Sequence, residues 1–182
     1  MKFLRTFFSV LFIGLVFITT SCSKDKSEDI SGGINTGIGR PGDPHSYQIQ
    51  IIEGDHTGFE ISGQVVNEDG QALYFVDDGK KGIVWGIYNN EMVMNGIFLE
   101  AGNNYTIPEN EEETWVLQLT GLNKSFIAKN VTLSVPTINY EGFQSSGFAA
   151  FQMNFDGTFY QNIDENDLYR IKGSIVVNFM PF

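Results

Sequence analysis

Cysteine and histidine are scarce in this 182-residue sequence, which contains one cysteine and two histidines. Disulfide bonds within the chain are therefore excluded, and zinc or iron sites built from clustered cysteine and histidine ligands are disfavoured. The sequence also has no G-x-S-x-G motif, so the nucleophile elbow of the α/β-hydrolases is missing. These absences favour a non-catalytic protein.

Lysine and arginine are also few. Residues 45–182 carry six of them against eighteen aspartates and glutamates, a difference of −12. A surface of this charge repels nucleic-acid phosphates and anionic lipid headgroups. Nucleic-acid binding is the functional class that the composition excludes most firmly.

The one long apolar run stands at the beginning of the chain, where Lys2 and Arg5 precede an apolar stretch at residues 7–18. A membrane-spanning helix needs about 18 or more apolar residues. A positive start with a shorter apolar run is typical of a secretory signal. Alanine does not occur before Ala72, so the usual A-x-A cleavage site is missing. We expect residues 1–21 to be a signal peptide that is removed.

The single cysteine, Cys22, directly follows the small residues Thr19, Thr20 and Ser21. This arrangement resembles the lipobox of bacterial lipoproteins, in which the cysteine is lipidated and becomes the first residue of the mature chain. The lipobox usually has an aliphatic residue three positions before the cysteine, where this sequence has Thr19. The resemblance implies that Cys22 is the lipid attachment site and that acyl chains hold the protein to a membrane.

Five charged residues follow the cysteine within seven positions: Lys24, Asp25, Lys26, Glu28 and Asp29. This segment looks like the lysine-plus-acid signal that directs Bacteroidetes-type lipoproteins to the outer face of the outer membrane. The usual signal has a lysine followed directly by two acids, and here Lys26 interrupts that order. The resemblance implies an outer-membrane location with exposure at the cell surface, and an ordinary solvated tether is the alternative.

Residues 22–44 combine the lipidated terminus with a linker rich in glycine, serine and aspartate. We expect this linker to be disordered, because such a composition buries too little apolar surface to offset its conformational entropy.

Residues 45–182 have an apolar period of two, as in 59–65, 115–119 and 151–155. The Asp156–Gly157 dipeptide between two alternating runs predicts a hairpin turn. About nine or ten short strands are bounded by turn residues. We therefore expect an all-β domain, a single antiparallel β-sandwich or β-barrel.

The sequence offers two histidines as a catalytic base, and a carboxylate pair is the other basis for a hydrolase. His45 ends the linker, and His56 lies in a loop beside Asp55. A Ser–His–Asp arrangement with His56 as base keeps a hydrolase of unknown type open as an alternative. Because a triad is defined by its geometry, we assign no catalytic residue and expect His56 to be an exposed loop residue.

Calcium is the one cofactor that the sequence leaves open, because calcium takes oxygen ligands from loops. Acid-rich loops occur at 76–82, 108–113 and 162–168. The weak calcium candidates are Asp164, Asn166 and Asp167. Solvated hairpin loops are the more ordinary interpretation.

Aromatic residues are frequent, and most have apolar neighbours two positions away. Trp85 and Trp115 have such neighbours, which indicates core packing rather than a sugar-binding platform. Tyr140 and Phe143 lie in a more polar segment and are the better candidates for exposure.

The leading hypothesis is a membrane-anchored, surface-exposed lipoprotein whose non-catalytic β-domain binds a glycan or a protein, or supports the cell envelope. The membrane is contacted through Cys22. A barrel that carries a small apolar ligand is the first alternative, since small inward residues would leave interior space. The glycines that keep this alternative open are Gly63, Gly86, Gly96 and Gly173.

Overall fold

The computed structural model describes residues 38–102, 104–107, 114–162 and 164–180. The signal peptide, Cys22 and most of the linker lie outside these residues. Within them the chain forms ten strands and short 3₁₀ turns, which confirms the all-β class and the expected number of strands. The strands are β1 (His45–Glu53), β2 (Glu60–Val65), β3 (Gly70–Asp77), β4 (Lys80–Tyr88), β5 (Met92–Ala101), β6 (Asn104–Thr106), β7 (Val116–Leu119), β8 (Lys124–Gly142), β9 (Ser146–Gln161) and β10 (Asp164–Val177).

All ten strands belong to one antiparallel sheet. Six of them pair in a closed ring, in the order β3, β4, β5, β7, β8, β9 and back to β3. The ring closes at β9, whose residues 146–148 pair with β3 while residues 151–161 pair with β10. β10, β1 and β2 continue the sheet beyond the ring. Both a sandwich and a barrel are consistent with this topology.

The period-two pattern places one apolar set of side chains in a single core. Phe151, Met153 and Phe155 of β9 are all buried. The Trp85 ring lies 5.4 Å from the Trp115 ring and 5.9 Å from the Phe151 ring, both edge-on. Such ring pairs add about 0.5–1.5 kcal/mol each beyond their buried area. The expectation that both tryptophans pack in the core is confirmed.

The Asp156–Gly157 dipeptide is not a turn, so that prediction is wrong. β9 runs unbroken through it, and β8 and β10 pair with it on both sides. A Cβ at Gly157 would lie 2.4 Å from the carbonyl oxygen of Asn130. The glycine therefore allows β8 to approach closely, and pairing on two sides overrides the local preference for a turn.

The tight Asp-Gly turn of this fold is Asp78–Gly79, between β3 and β4. Both residues have positive φ, 48° for Asp78 and 75° for Gly79. This is the backbone that a two-residue hairpin requires, because it matches the twist of the flanking strands. The acid-rich loop at 76–82 is thus a hairpin.

Asn178, just after β10, joins both ends of the domain. Its side chain accepts the Gly39 N–H at 3.0 Å and donates to the Pro44 carbonyl at 2.8 Å. Its backbone N–H donates to Nδ1 of His45 at 3.0 Å. Gly39 and Pro44, which the sequence assigns to the linker, are thus hydrogen-bonded to the segment that follows β10.

Candidate functional site

The two histidines lie at opposite ends of β1. His45 is fully buried, with Nε2 2.9 Å from the Gly70 carbonyl and Nδ1 accepting the Asn178 N–H. These partners assign the ring proton to Nε2 and give His45 a structural role, joining β1 to β3 and to the C-terminal segment. His56 lies in the β1–β2 turn, where its carbonyl accepts the Phe59 N–H at 2.9 Å.

The calcium candidates make hydrogen bonds and an ion pair within the chain. Asp164 accepts the Asn166 N–H at 2.9 Å, and Asp167 accepts the Tyr169 hydroxyl at 3.1 Å. The Lys124 ammonium lies 3.9 Å from Asp167 and 2.9 Å from the Tyr169 hydroxyl. The hydrogen bond with Tyr169 is the main cause of a raised pKa of Lys124. Asp167 thus already faces a cation.

Metal ligands do not converge elsewhere in the part of the chain that the structure describes, where no three histidine, cysteine, aspartate or glutamate side chains form a metal-binding group. The acid-rich loop at 108–113 lies outside these residues.

The four strand glycines that kept the carrier alternative open are each covered by an aromatic ring. A Cβ would lie 2.3–2.8 Å from the nearest ring or hydroxyl atom in every case. The pairs are Gly63 with Tyr47, Gly86 with Tyr88, Gly96 with Trp115, and Gly173 with Phe155. These glycines make room for rings, and they give no support to a ligand cavity.

The most exposed large apolar side chain of the described residues is Phe143, at 82%. It stands at the tip of the β8–β9 hairpin, where its N–H donates to the Ser146 carbonyl at 2.9 Å. The buried Tyr74 donates its hydroxyl to the Phe143 carbonyl, and the Val76 N–H donates to the Ser145 carbonyl at 3.0 Å. The exposed ring is therefore carried by a backbone that two strands hold in place.

Three tyrosines and a lysine lie behind this tip. We call Phe143 and these four residues the tyrosine end: Tyr74, Lys81, Tyr105, Tyr140 and Phe143. The Tyr74 and Tyr140 rings meet edge-on at 5.0 Å, and the Tyr105 and Tyr140 hydroxyls are 3.2 Å apart. The Lys81 ammonium lies 3.8 Å from the centre of the Tyr140 ring.

Two electrostatic features mark the tyrosine end, the burial of the Tyr140 hydroxyl and the charge of Lys81. Burial, and then the hydrogen bond with Tyr105, raise the pKa of Tyr140, so this hydroxyl remains a donor throughout the physiological pH range. Lys81 places a positive charge on the ring face, an arrangement worth about 0.5–2 kcal/mol. Glu100 accepts the backbone N–H of Lys81 at 3.4 Å, and its charge contributes to the raised pKa of Tyr140.

This arrangement is suited to recognition. A large apolar ring that is exposed but held by a fixed backbone can be buried by a partner at little entropic cost. Hydroxyl, ammonium and carboxylate groups behind it can supply orienting hydrogen bonds.

Sequence reasoning found part of this site. Tyr140 and Phe143 were expected to be exposed; Phe143 is, whereas Tyr140 is only partly exposed because Lys81 covers its ring. Tyr74, Lys81 and Tyr105 come from β3, β4 and β6 and were missed. No local motif links them, since the pairing of strands within the sheet brings them together.

Comparison with protein-family models, with curated proteins and with solved structures gives no match. Among the described residues, no helix has the length and apolar character needed to cross a membrane.

Proposed function

We propose that this chain is a lipoprotein anchored in the outer membrane through Cys22, with a non-catalytic β-domain that binds a soluble glycan at the cell surface. The anchor is supported by the lipobox-like residues before Cys22 and by the lysine-plus-acid segment after it. The domain contacts its ligand through the tyrosine end.

The observation that carries the binding role is the exposure of Phe143. Burying such a ring in a contact that excludes water contributes about 1.5–3 kcal/mol, and aromatic residues, Phe among them, are enriched at the centres of binding interfaces. A glycan fits this surface because a sugar ring offers an apolar face edged with hydroxyls, matching the Phe143 ring and the polar groups around it. The carrier and hydrolase alternatives have no comparable observation in their favour.

The anchor is tested by growing bacteria that produce the full chain with an alkyne-labelled fatty acid. We expect the chain to incorporate the label, and Cys22→Ala to abolish it. Ser23→Ala is the matched control and should keep the label. Labelling that survives Cys22→Ala would rule out this anchor. Protease treatment of intact cells then tests surface exposure, which should fall when the charged residues at 24–29 are replaced by serine and asparagine.

The binding role is tested by the thermal unfolding of the chain from Ser23 onward against a panel of soluble polysaccharides. A ligand that binds only the folded state raises the unfolding midpoint. We expect one polysaccharide class to do so, and Phe143→Ala to weaken its binding at least tenfold. Leu168→Ala removes another exposed apolar side chain, 46% exposed on β10, and should leave binding unchanged. No shift with any polysaccharide, together with a Phe143-dependent protein cross-link on cells, would replace the glycan with a protein partner.

A further inference from the structure

A second surface of the domain lies at the open edge of the sheet. β2 is the last strand of the sheet, and within the described residues its ladder pairs only with β1. The other side of β2 therefore presents backbone groups without a sheet neighbour. This surface involves none of the residues of the tyrosine end.

The pairing with β1 fixes which backbone groups face outward. The Ile51 N–H donates to the Phe59 carbonyl at 2.9 Å, and the Ile51 carbonyl accepts the Gly58 N–H at 2.9 Å. The backbone groups of Ile51 therefore face β2, and along an antiparallel ladder those of every second residue of β1 do the same. In the register Ile49 with Ile61 and Tyr47 with Gly63, the odd-numbered residues of β2 face β1. The N–H and C=O groups that point to the open edge are those of Glu60, Ser62 and Gln64.

The edge of β2 lacks the features that usually block strand addition. Natural edge strands are protected by lysine, proline or a β-bulge. β2 has none of these over Glu60–Val65, and its register with β1 is unbroken. β8 pairs with both β7 and β9, and its part that follows the pairing with β7 has Pro136 and register shifts at Ala128/Asn130 and Ser134/Thr137. That part of β8 carries protective features that β2 lacks.

Apolar side chains lie beside the open edge. Ile61 is only partly buried although it packs on the core, and Val66, directly after β2, is 61% exposed. An added strand would cover Ile61, because its alternate side chains would stand next to those of β2 on the same face.

The chain segment that contains this edge is acidic. No lysine or arginine occurs between Arg40 and Lys80, whereas this stretch contains eight acidic residues, with Glu60 on β2 itself. Arg170 on β10 forms ion pairs with Glu53 and Asp156. Two copies of this edge would repel each other, whereas a strand with positive side chains would be attracted.

We infer that β2 is a strand-addition site for an extended polypeptide segment with lysine or arginine at alternate positions. Backbone hydrogen bonds to Glu60, Ser62 and Gln64 hold the segment, as in other β-augmentation complexes. The Glu60 carboxylate on β2 and the acidic residues before and after the strand in the chain favour a positively charged segment.

The probe is a synthetic octapeptide in which lysine alternates with valine and threonine. We expect it to bind the chain from Ser23 onward, with affinity that falls as salt rises, and to slow hydrogen exchange of the Ser62 and Gln64 amides at least tenfold. The same peptide with glutamate in place of lysine should not bind, nor should one with N-methyl groups on the amides that face β2.

A pair of variants separates backbone pairing from simple charge attraction. Ser62→Pro removes one outward N–H and leaves the inward hydrogen bonds to β1 in place, so we expect peptide binding to fall at least tenfold. Ser62→Ala keeps the N–H and should bind as the wild type does. Phe143→Ala should also leave peptide binding unchanged, which distinguishes this site from the proposed glycan surface.

Three results would overturn the inference. The first is that the lysine peptide binds equally well when its amides are N-methylated. This test changes only the peptide, so it does not depend on a protein variant that folds. The second is amide protection that maps away from β2. The third is a dimer, seen by sedimentation, that Ser62→Pro abolishes, because the edge would then pair with a second copy.

Discussion

Two Asp-Gly pairs in this domain have the same residues and opposite conformations. Asp78–Gly79 turns the chain sharply between β3 and β4, with positive φ at both residues. Asp156–Gly157 is extended in the middle of β9, between β8 and β10. The difference lies in the surroundings, since a Cβ at Gly79 would meet nothing within 4 Å, whereas one at Gly157 would meet the β8 backbone. Gly79 is needed because its backbone has positive φ, and Gly157 is needed because a side chain there would collide with β8.

The largest effect should come from Gly157→Ala. The added methyl would be 2.4 Å from the Asn130 carbonyl oxygen and 2.6 Å from the Val131 Cα, and backbone atoms paired in a sheet cannot easily move aside. We expect the free energy of unfolding to fall by about 3 kcal/mol, as measured by urea denaturation. A loss no larger than that of Gly79→Ala would contradict the close-approach explanation.

Gly79→Ala should cost less, and for a different reason. The new side chain has open space, but an L-residue with φ near +75° is strained. We expect a loss of about 1 kcal/mol by the same denaturation measurement. Gly79→Asn is the control and should lose less than alanine, because asparagine tolerates the left-handed region. Equal losses for both variants would point to a contact instead of backbone strain.

Asp156→Asn should produce a smaller effect that depends on pH. Arg170 donates two hydrogen bonds of 3.0 Å to Asp156 and lowers the pKa of its carboxyl. A lowered folded-state pKa stabilises the fold above the pKa of an unfolded aspartate, about 3.9, and that contribution is lost as the pH falls through the folded value. The stability difference between wild type and variant should therefore be present at neutral pH and vanish in acid. Urea denaturation at several pH values measures it, and a difference independent of pH would contradict the ion-pair origin.

The smallest effect should come from Asp78→Asn. Asparagine is at least as compatible with positive φ as aspartate at a hairpin turn, so we expect stability to change by only about 0.3 kcal/mol. Thermal unfolding of both proteins at matched concentration measures this. A loss above about 1 kcal/mol would show that the Asp78 carboxylate makes a stabilising interaction of its own.

The same contrast explains how far the sequence could predict this molecule. Alternation identified the strand faces, because side-chain burial in a sheet has a period of two, and it placed Trp85 and Trp115 in the core. It failed at Asp156–Gly157, where strands distant in sequence decide the conformation. His45 was predicted to end a linker, and its burial depends on Gly70 and Asn178, which no local pattern connects to it.

The candidate site also has a part that the sequence predicts and a part that only the fold reveals. Phe143 could be predicted to be exposed from its polar neighbours in the chain. The contact of Lys81 with Tyr140, and the hydroxyl pair of Tyr105 and Tyr140, depend on strand order. The open edge of β2 likewise follows from the sheet order, which single-strand patterns do not contain.

The hydrogen bonds of Asn178 with Gly39, Pro44 and His45 have a mechanical consequence if the domain is anchored as proposed. A pull on the proposed anchor enters at residues 38–44 and passes through the Asn178 hydrogen bonds into the beginning of β1. β1 lies between β2 and β10 and is antiparallel to both, so a pull along it loads two ladders of hydrogen bonds in shear, many at a time. In the proposed anchored protein, a pull along β1 would therefore have to break both ladders together.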